Sequence, residues 1–267
     1  MAVYERVSIG SLAQGAVPPG YTFTRSTTAL YVDSDGLLKS AAINTPRRQW
    51  DATNRRWGYV GEGSRTNLLL YSTLPGGTTP ATGWTNTIAT GTVTLAASIY
   101  GSADGAAAYT FATSAQRMVW QQSVTTANNT TYAYSVMVEA VSGTITNQDV
   151  LTVTSIPSGA SITGYFVDGV ASTSSTQAVV GKLTLILGGT YTGASTVFRI
   201  GNGCFTGNTT ASVTLSRPQL EAAPAPSSYI PTTTVAVTRG ADLLTRALTG
   251  PEGTALSTQG TMVVEFS

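Results

Sequence analysis

The feature that most constrains this chain is a short-range alternation that recurs from residue 91 to residue 217. In TYAYSVMVEA (131–140) a period of two puts Tyr132, Tyr134, Val136 and Val138 on one side. Ala133, Ser135, Met137 and Glu139 then lie on the other. Comparable segments are GTVTLAAS (91–98), AAAYTFA (106–112), MVWQQSV (118–124), DVLTVTSI (149–156), GKLTLIL (181–187), STVFRIG (195–201) and ASVTLSR (211–217). Gly, Asn and Asp between them, as in GSADG, TANNT and NGCFTGN, supply the turns. Heptads of apolar residues are missing, β-branched Val and Thr abound, and no period of 20–50 residues repeats. This pattern predicts an all-β fold: an antiparallel two-sheet sandwich of the jelly-roll kind.

Composition narrows the function classes. Charged side chains make up 10% of the chain, far below the roughly 25% of ordinary soluble domains. The apolar share is an ordinary 42%, so Thr, Ser, Gly, Ala and Asn stand where charges would be. Such a surface can be buried against copies of itself without stranding ions, which points to a stable assembly. A net charge of +1 provides no global field for nucleic acid or acidic membrane, and no apolar run is long enough to span a bilayer. MAVYERVSIG has no apolar h-region, so an ordinary signal peptide is not expected. Histidine is absent, which removes histidine triads, the usual general base and most zinc sites. The single cysteine, Cys204, cannot form an intrachain disulfide, and its strand-like setting suggests a buried, inert thiol.

The flanks read differently from the middle. Residues 1–67 have short strands, frequent turns (PPG, DSDG, TPRR) and weak periodicity, with eight basic against five acidic side chains. VDSDGLLKSAA reads as a hairpin turning at Asp35-Gly36. Arg47, Arg48, Trp50, Arg55, Arg56 and Trp57 are expected to form an assembly interface through arginine pairing and cation–π stacking. The expected division is therefore an N-terminal attachment segment (1–67), a β-sandwich (68–234) and an extended C-terminal segment (235–267). The strand-like TMVVEF near the end suggests that the last segment leads into a further domain.

Three stretches carry a resemblance: FTRSTTALYVDSDGLLKSAAINTPR (23–47), GEGSRTNLLLYS (61–72) and SRPQLEAAPAPSSYIPTTTVAVTRGAD (216–242). In this order, around a sandwich, they resemble virion proteins of tailed bacteriophages, notably tail-fibre and receptor-binding components. GW (83–84) and ADGAAAYTF (103–111) look like the opening tryptophan and the turn of carbohydrate-binding modules, with Ala103 and Ala106 where those modules often have Pro and Thr. The resemblance implies a structural, non-enzymatic virion protein involved in host attachment, located in the phage particle and made in the bacterial cytoplasm. Its implied partners are other virion proteins, identical subunits in a homotrimer, and host cell-surface polysaccharide. It implies no cofactor beyond the structural calcium of many such modules, for which the sequence assigns no ligands. The alternatives are a capsid decoration or head-fibre protein and, more distantly, a polysaccharide depolymerase.

The resemblance also implies that the second stretch leads into the first sandwich strand, with Leu68–Tyr71 as an inner strand lying beside the end of the third. Glu62 or Glu221 paired with Arg65 would clamp that corner. For glycan binding, the richest collection is Trp120, Gln122, Tyr132 and Tyr134, set against the alternative that the aromatics fill the inner sheet face. Trp84 reads as a core plug. Asp104, Glu139, Asp149 and Asp168 are far apart in sequence, and Asp104-Gly105 and Asp168-Gly169 read as turns, so no catalytic pair is assigned.

Overall fold

The computed structural model describes residues 15–17, 20–51, 56–77, 80–89, 91–113, 117–205 and 210–246. The first six strands are β1 (Tyr21–Thr24), β2 (Ala29–Val32), β3 (Leu38–Ala41), β4 (Arg47–Asp51), β5 (Arg56–Val60) and β6 (Arg65–Asn67). Next come β7 (Thr85–Ala89), β8 (Thr92–Ala96), β9 (Ala108–Thr113), β10 (Met118–Thr125) and β11 (Tyr132–Ser142), then one helical turn, α1 (Asn147–Val150). The remainder are β12 (Leu151–Thr154), β13 (Ala160–Val167), β14 (Val170–Ser172), β15 (Gly181–Gly189), β16 (Ser195–Asn202), β17 (Ala211–Glu221), β18 (Val237–Arg239) and β19 (Leu243–Arg246). The protein is all-β, and its strand pairs are antiparallel.

Seven strands form a curled sheet in the order β14-β13-β15-β11-β17-β9-β8, and four form a second in the order β12-β16-β10-β7. Both line one apolar core. The larger sheet contributes Tyr132, Tyr134, Val136, Val138, Leu183, Leu185, Val213, Leu215 and Phe111. The smaller contributes Met118, Trp120, Leu151, Val153, Phe198 and Ile200. Aromatic edges cross between them: Trp120 meets Tyr109 at 5.2 Å and Phe111 at 4.8 Å, and Tyr134 meets Phe198 at 5.1 Å. Non-directional burial of this kind is the main force holding two sheets together.

The alternation in β11 groups its bulky residues on one face as expected; that face is turned inward, and Ser135 and Glu139 on the other face are buried too. The expected 149–156 strand begins only at Leu151. Before it, Thr146 Oγ1 donates to the Asp149 carboxylate at 2.7 Å, and the Asn147 amide donates to Ser172 Oγ and Thr173 O, which holds a turn of helix. Strands β7, β13 and β14 had no expectation. In β13 the register slips between Ile162 and Gly164, so its alternation is broken. The β2–β3 hairpin turns as expected, with Gly36 at φ 80° donating its N–H to Asp33 O at 3.0 Å.

Four ribbons flank the sheets: β2–β3, β4–β5, β1–β19 and β6–β18. The last two join the expected attachment segment to the expected C-terminal segment. Tyr21 pairs with Arg246, and Arg65, Thr66 and Asn67 pair with Arg239, Thr238 and Val237. The inner strand expected at Leu68–Tyr71 does not form. The strand stops at Asn67, because Tyr71 (φ 51°) and Leu74 (φ 53°) turn the chain sharply. Leu69 is nevertheless fully buried in the core beside Leu220, and Leu68 N–H donates to Leu220 O at 2.8 Å. Trp84 is a core plug, its Nε1 donating to Tyr71 O at 3.2 Å.

Candidate assembly junction

The three stretches quoted above converge where β6–β18 meets the edge of the core. Arg25 and Arg47 come from the first, Glu62 from the second, Arg239 and Asp242 from the third. Asp242 accepts from Arg25 Nη1 at 2.8 Å, from Arg47 Nη2 and from the Glu62 N–H. Glu62 accepts from Arg47 Nη2 at 2.8 Å, Arg239 Nη1 at 2.7 Å, and the N–H and Oγ of Ser228. The three guanidiniums are almost wholly buried, so each depends on these carboxylates and on nearby carbonyls for its hydration shell. Burial, the largest single influence on Glu62, pushes its carboxyl up. Ser228, Arg239 and Arg47 outweigh it and hold the group below the ordinary carboxylate value.

Asn67 forms a second fastening. Its Nδ2 donates to Ile230 O at 2.8 Å, and its Oδ1 accepts from Leu69 N–H at 3.2 Å and Leu220 N–H at 3.1 Å. Thr232 continues the seam, its hydroxyl donating to Leu69 O at 2.6 Å. Glu221 accepts from the N–H and Oγ of Ser227 and from Gln219 Nε2. The Lys182 ammonium donates to Ser227 O at 2.8 Å; desolvation lowers its pKa, against the pull of Glu221, Glu62 and Asp168.

This geometry corrects several expectations. Glu62 is clamped, but not by Arg65, whose guanidinium turns outward and donates to Ser64 O. Arg65 shares the strand face of Asn67, but Arg47, Arg239 and Ser228 already occupy the Glu62 carboxylate, and the Arg65 side chain folds back to the preceding carbonyl. Glu221 takes no arginine; hydroxyl, amide and backbone donors satisfy it. Arg47 is not available as an assembly surface, since its side chain is fully buried and bonded within the chain. Arg48 is buried as well, and Trp50 is half-buried. Arg55 and the side chains of Arg56 and Trp57 lie outside the described residues.

The proposed glycan-stacking set is also corrected. Trp120 and Tyr134 are 0% exposed and Tyr132 is 2% exposed, so none presents a ring face to solvent. The inward parity of β10 and β11 points all three at the opposite sheet. Gln122 is spent on backbone: its Oε1 accepts from Leu70 N–H, and its Nε2 donates to Leu70 O and Gly83 O. Cys204 is buried, and desolvation pushes its thiol well above the ordinary range.

Two carboxylates that are distant in sequence do meet. Arg217 donates Nε to Asp104 at 2.6 Å and Nη1 to Glu139 at 3.1 Å, with all three side chains buried. A guanidinium fills the space where a catalytic pair would hold a glycosidic bond. Asp104-Gly105 is a turn as expected, with Gly105 at φ 73°. Its aspartate also has this second attachment, which the dipeptide did not reveal. Among the described residues no group of three or more His, Cys, Asp or Glu side chains is placed to hold a metal ion.

Asn67, Arg25, Arg217, Arg239 and Asp242 were not singled out from sequence as functional. They lie in the stretches FTRS, RTN, SRPQ and VTRGAD, on which the resemblance stated above was drawn. Comparison with family models and with curated proteins finds no match for this chain.

Proposed function

We propose that this chain is a non-enzymatic structural component of a tailed-phage particle, a tail fibre or tail-associated protein. In this reading the two sheets form a jelly-roll sandwich of the carbohydrate-binding-module type, and the paired flanks join it to the particle. The observation that supports it is the convergence of the three resembling stretches on one buried cluster: Arg25 and Arg47, Glu62, and Arg239 with Asp242. Residues that recur together across virion proteins would do so because each neutralises another in the folded joint. The low surface charge suits a homotrimer, since few ions would be stranded between copies. Host polysaccharide is the proposed ligand of the outward part.

Immunogold labelling of source phage particles, with antibody to the purified chain, tests the location. Label on tail fibres or the tail tip is the expected result. Label over the head would favour a capsid decoration protein, and unlabelled particles would refute virion membership. Light scattering of the purified chain should give three times 27.5 kDa. Release of reducing ends from host polysaccharide would replace the structural role with a depolymerase.

A further inference from the structure

All the basic side chains of this chain are arginines except Lys39 and Lys182. Lys39 has an ordinary surface role, pairing with Asp35 at 2.9 Å. Lys182 is half-buried, and its ammonium donates to a carbonyl, Ser227 O, at 2.8 Å. Where a fixed cation is all that is needed, the planar guanidinium of arginine serves better, and the buried clusters of this protein use it. What lysine adds is a nitrogen that can give up its proton and become a nucleophile.

Strand β11 lies between β15 and β17, with Lys182 of β15 opposite Met137 and Gln219 of β17 opposite Ser135. Ser135 and Met137 share the face of β11 that points away from Tyr134, Val136 and the core, so Lys182 and Gln219 both leave the sheet on its outer side. Their strands run roughly 10 Å apart, two ladder spacings. The side chains close that gap beneath the segment after β17, where Ser227 O accepts from Lys182 Nζ at 2.8 Å and from Gln219 Nε2 at 3.4 Å. The Gln219 amide is buried and fixed at both ends. Ile230 N–H donates to its Oε1 at 2.6 Å, and its Nε2 donates to Glu221 Oε2 at 2.9 Å. Glu221, also buried, is held in turn by Ser227 N–H at 2.7 Å and Ser227 Oγ at 2.6 Å. An amine, an amide carbonyl with a donor on its oxygen, and a carboxylate on its nitrogen therefore share one covered site.

We propose that Lys182 and Gln219 join in an intramolecular isopeptide bond, with Glu221 as the proton carrier. The Lys182 ammonium passes a proton to the Glu221 carboxylate, and the free Nζ turns from Ser227 O to attack Gln219 Cδ. Charge that develops on Oε1 meets the Ile230 N–H already in place. Glu221 relays two protons in turn from Nζ to Nε2, the Cδ–Nε2 bond breaks as the Cδ–Nζ bond forms, and ammonium leaves. No oxidant or cofactor enters this balance. The desolvation that lowers the Lys182 pKa favours the free amine the first step needs. The step happens once in each chain, so it completes the fold and is not turnover. Its product ties β15 to β17 across β11 and restricts the unfolded chain as any covalent cross-link does.

Intact-mass spectrometry of the purified full chain, denatured before measurement, tests it. The expected mass is about 17 Da below that of the sequence, the loss of one ammonia on amide exchange. Tryptic digestion should then yield one branched peptide that joins Lys182 to Gln219. Lys182→Arg keeps the charge and the donor to Ser227 O, and should show the full sequence mass with an unchanged circular dichroism spectrum. Glu221→Gln should do the same, and if that variant fails to fold, Lys182→Arg carries the comparison. A chain that keeps its full mass after prolonged incubation at mildly alkaline pH overturns the proposal. So does a loss of ammonia that persists in Lys182→Arg, because it would then come from asparagine cyclisation elsewhere.

Discussion

At the scale of single residues, Asn67 and Arg65 make an instructive contrast two positions apart. Asn67 satisfies three backbone groups from two chain segments and is fully buried, whereas Arg65 bonds only to its neighbour's carbonyl. Asn67→Ala would leave those groups unpaired away from water and should cost roughly 3 kcal/mol. Arg65→Ala should stay within about 0.5 kcal/mol. Urea unfolding of both variants checks the difference. Glu62 adds a pH dependence. Its folded pKa lies below the ordinary 4.5, so its contribution is complete above the unfolded value and is lost as pH falls through the folded one. Urea midpoints should therefore decline from near pH 4.5 downward, and Glu62→Gln should flatten part of that slope.

At the scale of elements, β17 shows how one irregularity recruits a charged network. Its register with β11 jumps from Ser216 opposite Met137 to Gln219 opposite Ser135, so Arg217 and Pro218 form a bulge. Pro218 has no N–H to contribute to the ladder, and Arg217 adopts φ 55°, which turns its guanidinium towards Asp104 and Glu139. Ser98 and Ser216 complete the shell around Glu139. Arg217→Gln would leave two buried carboxylates without their cation, a loss of about 3–5 kcal/mol. Chemical denaturation of the variant measures it. A Glu139→Gln second substitution should recover part of the loss by removing one stranded charge.

At the scale of the whole molecule, the two ends of the described chain support one another. Strands β1 and β6 from the front pair with β19 and β18 from the back, and Arg239 and Asp242 enter a cluster otherwise built from Arg25, Arg47 and Glu62. A chain truncated after residue 236 would lose both ribbons and leave Arg25 and Arg47 buried without Asp242. Hydrogen exchange of that truncation should show lost protection across residues 21–67, while β9, β11, β15 and β17 stay protected by the shared core. Unchanged protection in the front segment would mean that it folds without the back one.

Much of the fold was legible because β-structure is encoded at short range. The segments around residues 92–96, 108–113, 118–125, 132–142, 181–189, 195–202 and 211–221 follow from alternation and turn residues alone. Parity even grouped Tyr132, Tyr134, Val136 and Val138 correctly. It could not say whether that face met water or another sheet, and only the apposition of β10 and β16 decided that these rings are core and not a ligand platform. The junction was legible only as three stretches that carried a resemblance, without assigned partners. Arg25 and Asp242 are 217 residues apart, and Arg47 and Asp242 are 195 apart. A contact at such separation leaves no periodic trace in the sequence, because what creates it is the closing of the chain on itself, which brings Arg25 and Arg47 of one end to Asp242 of the other.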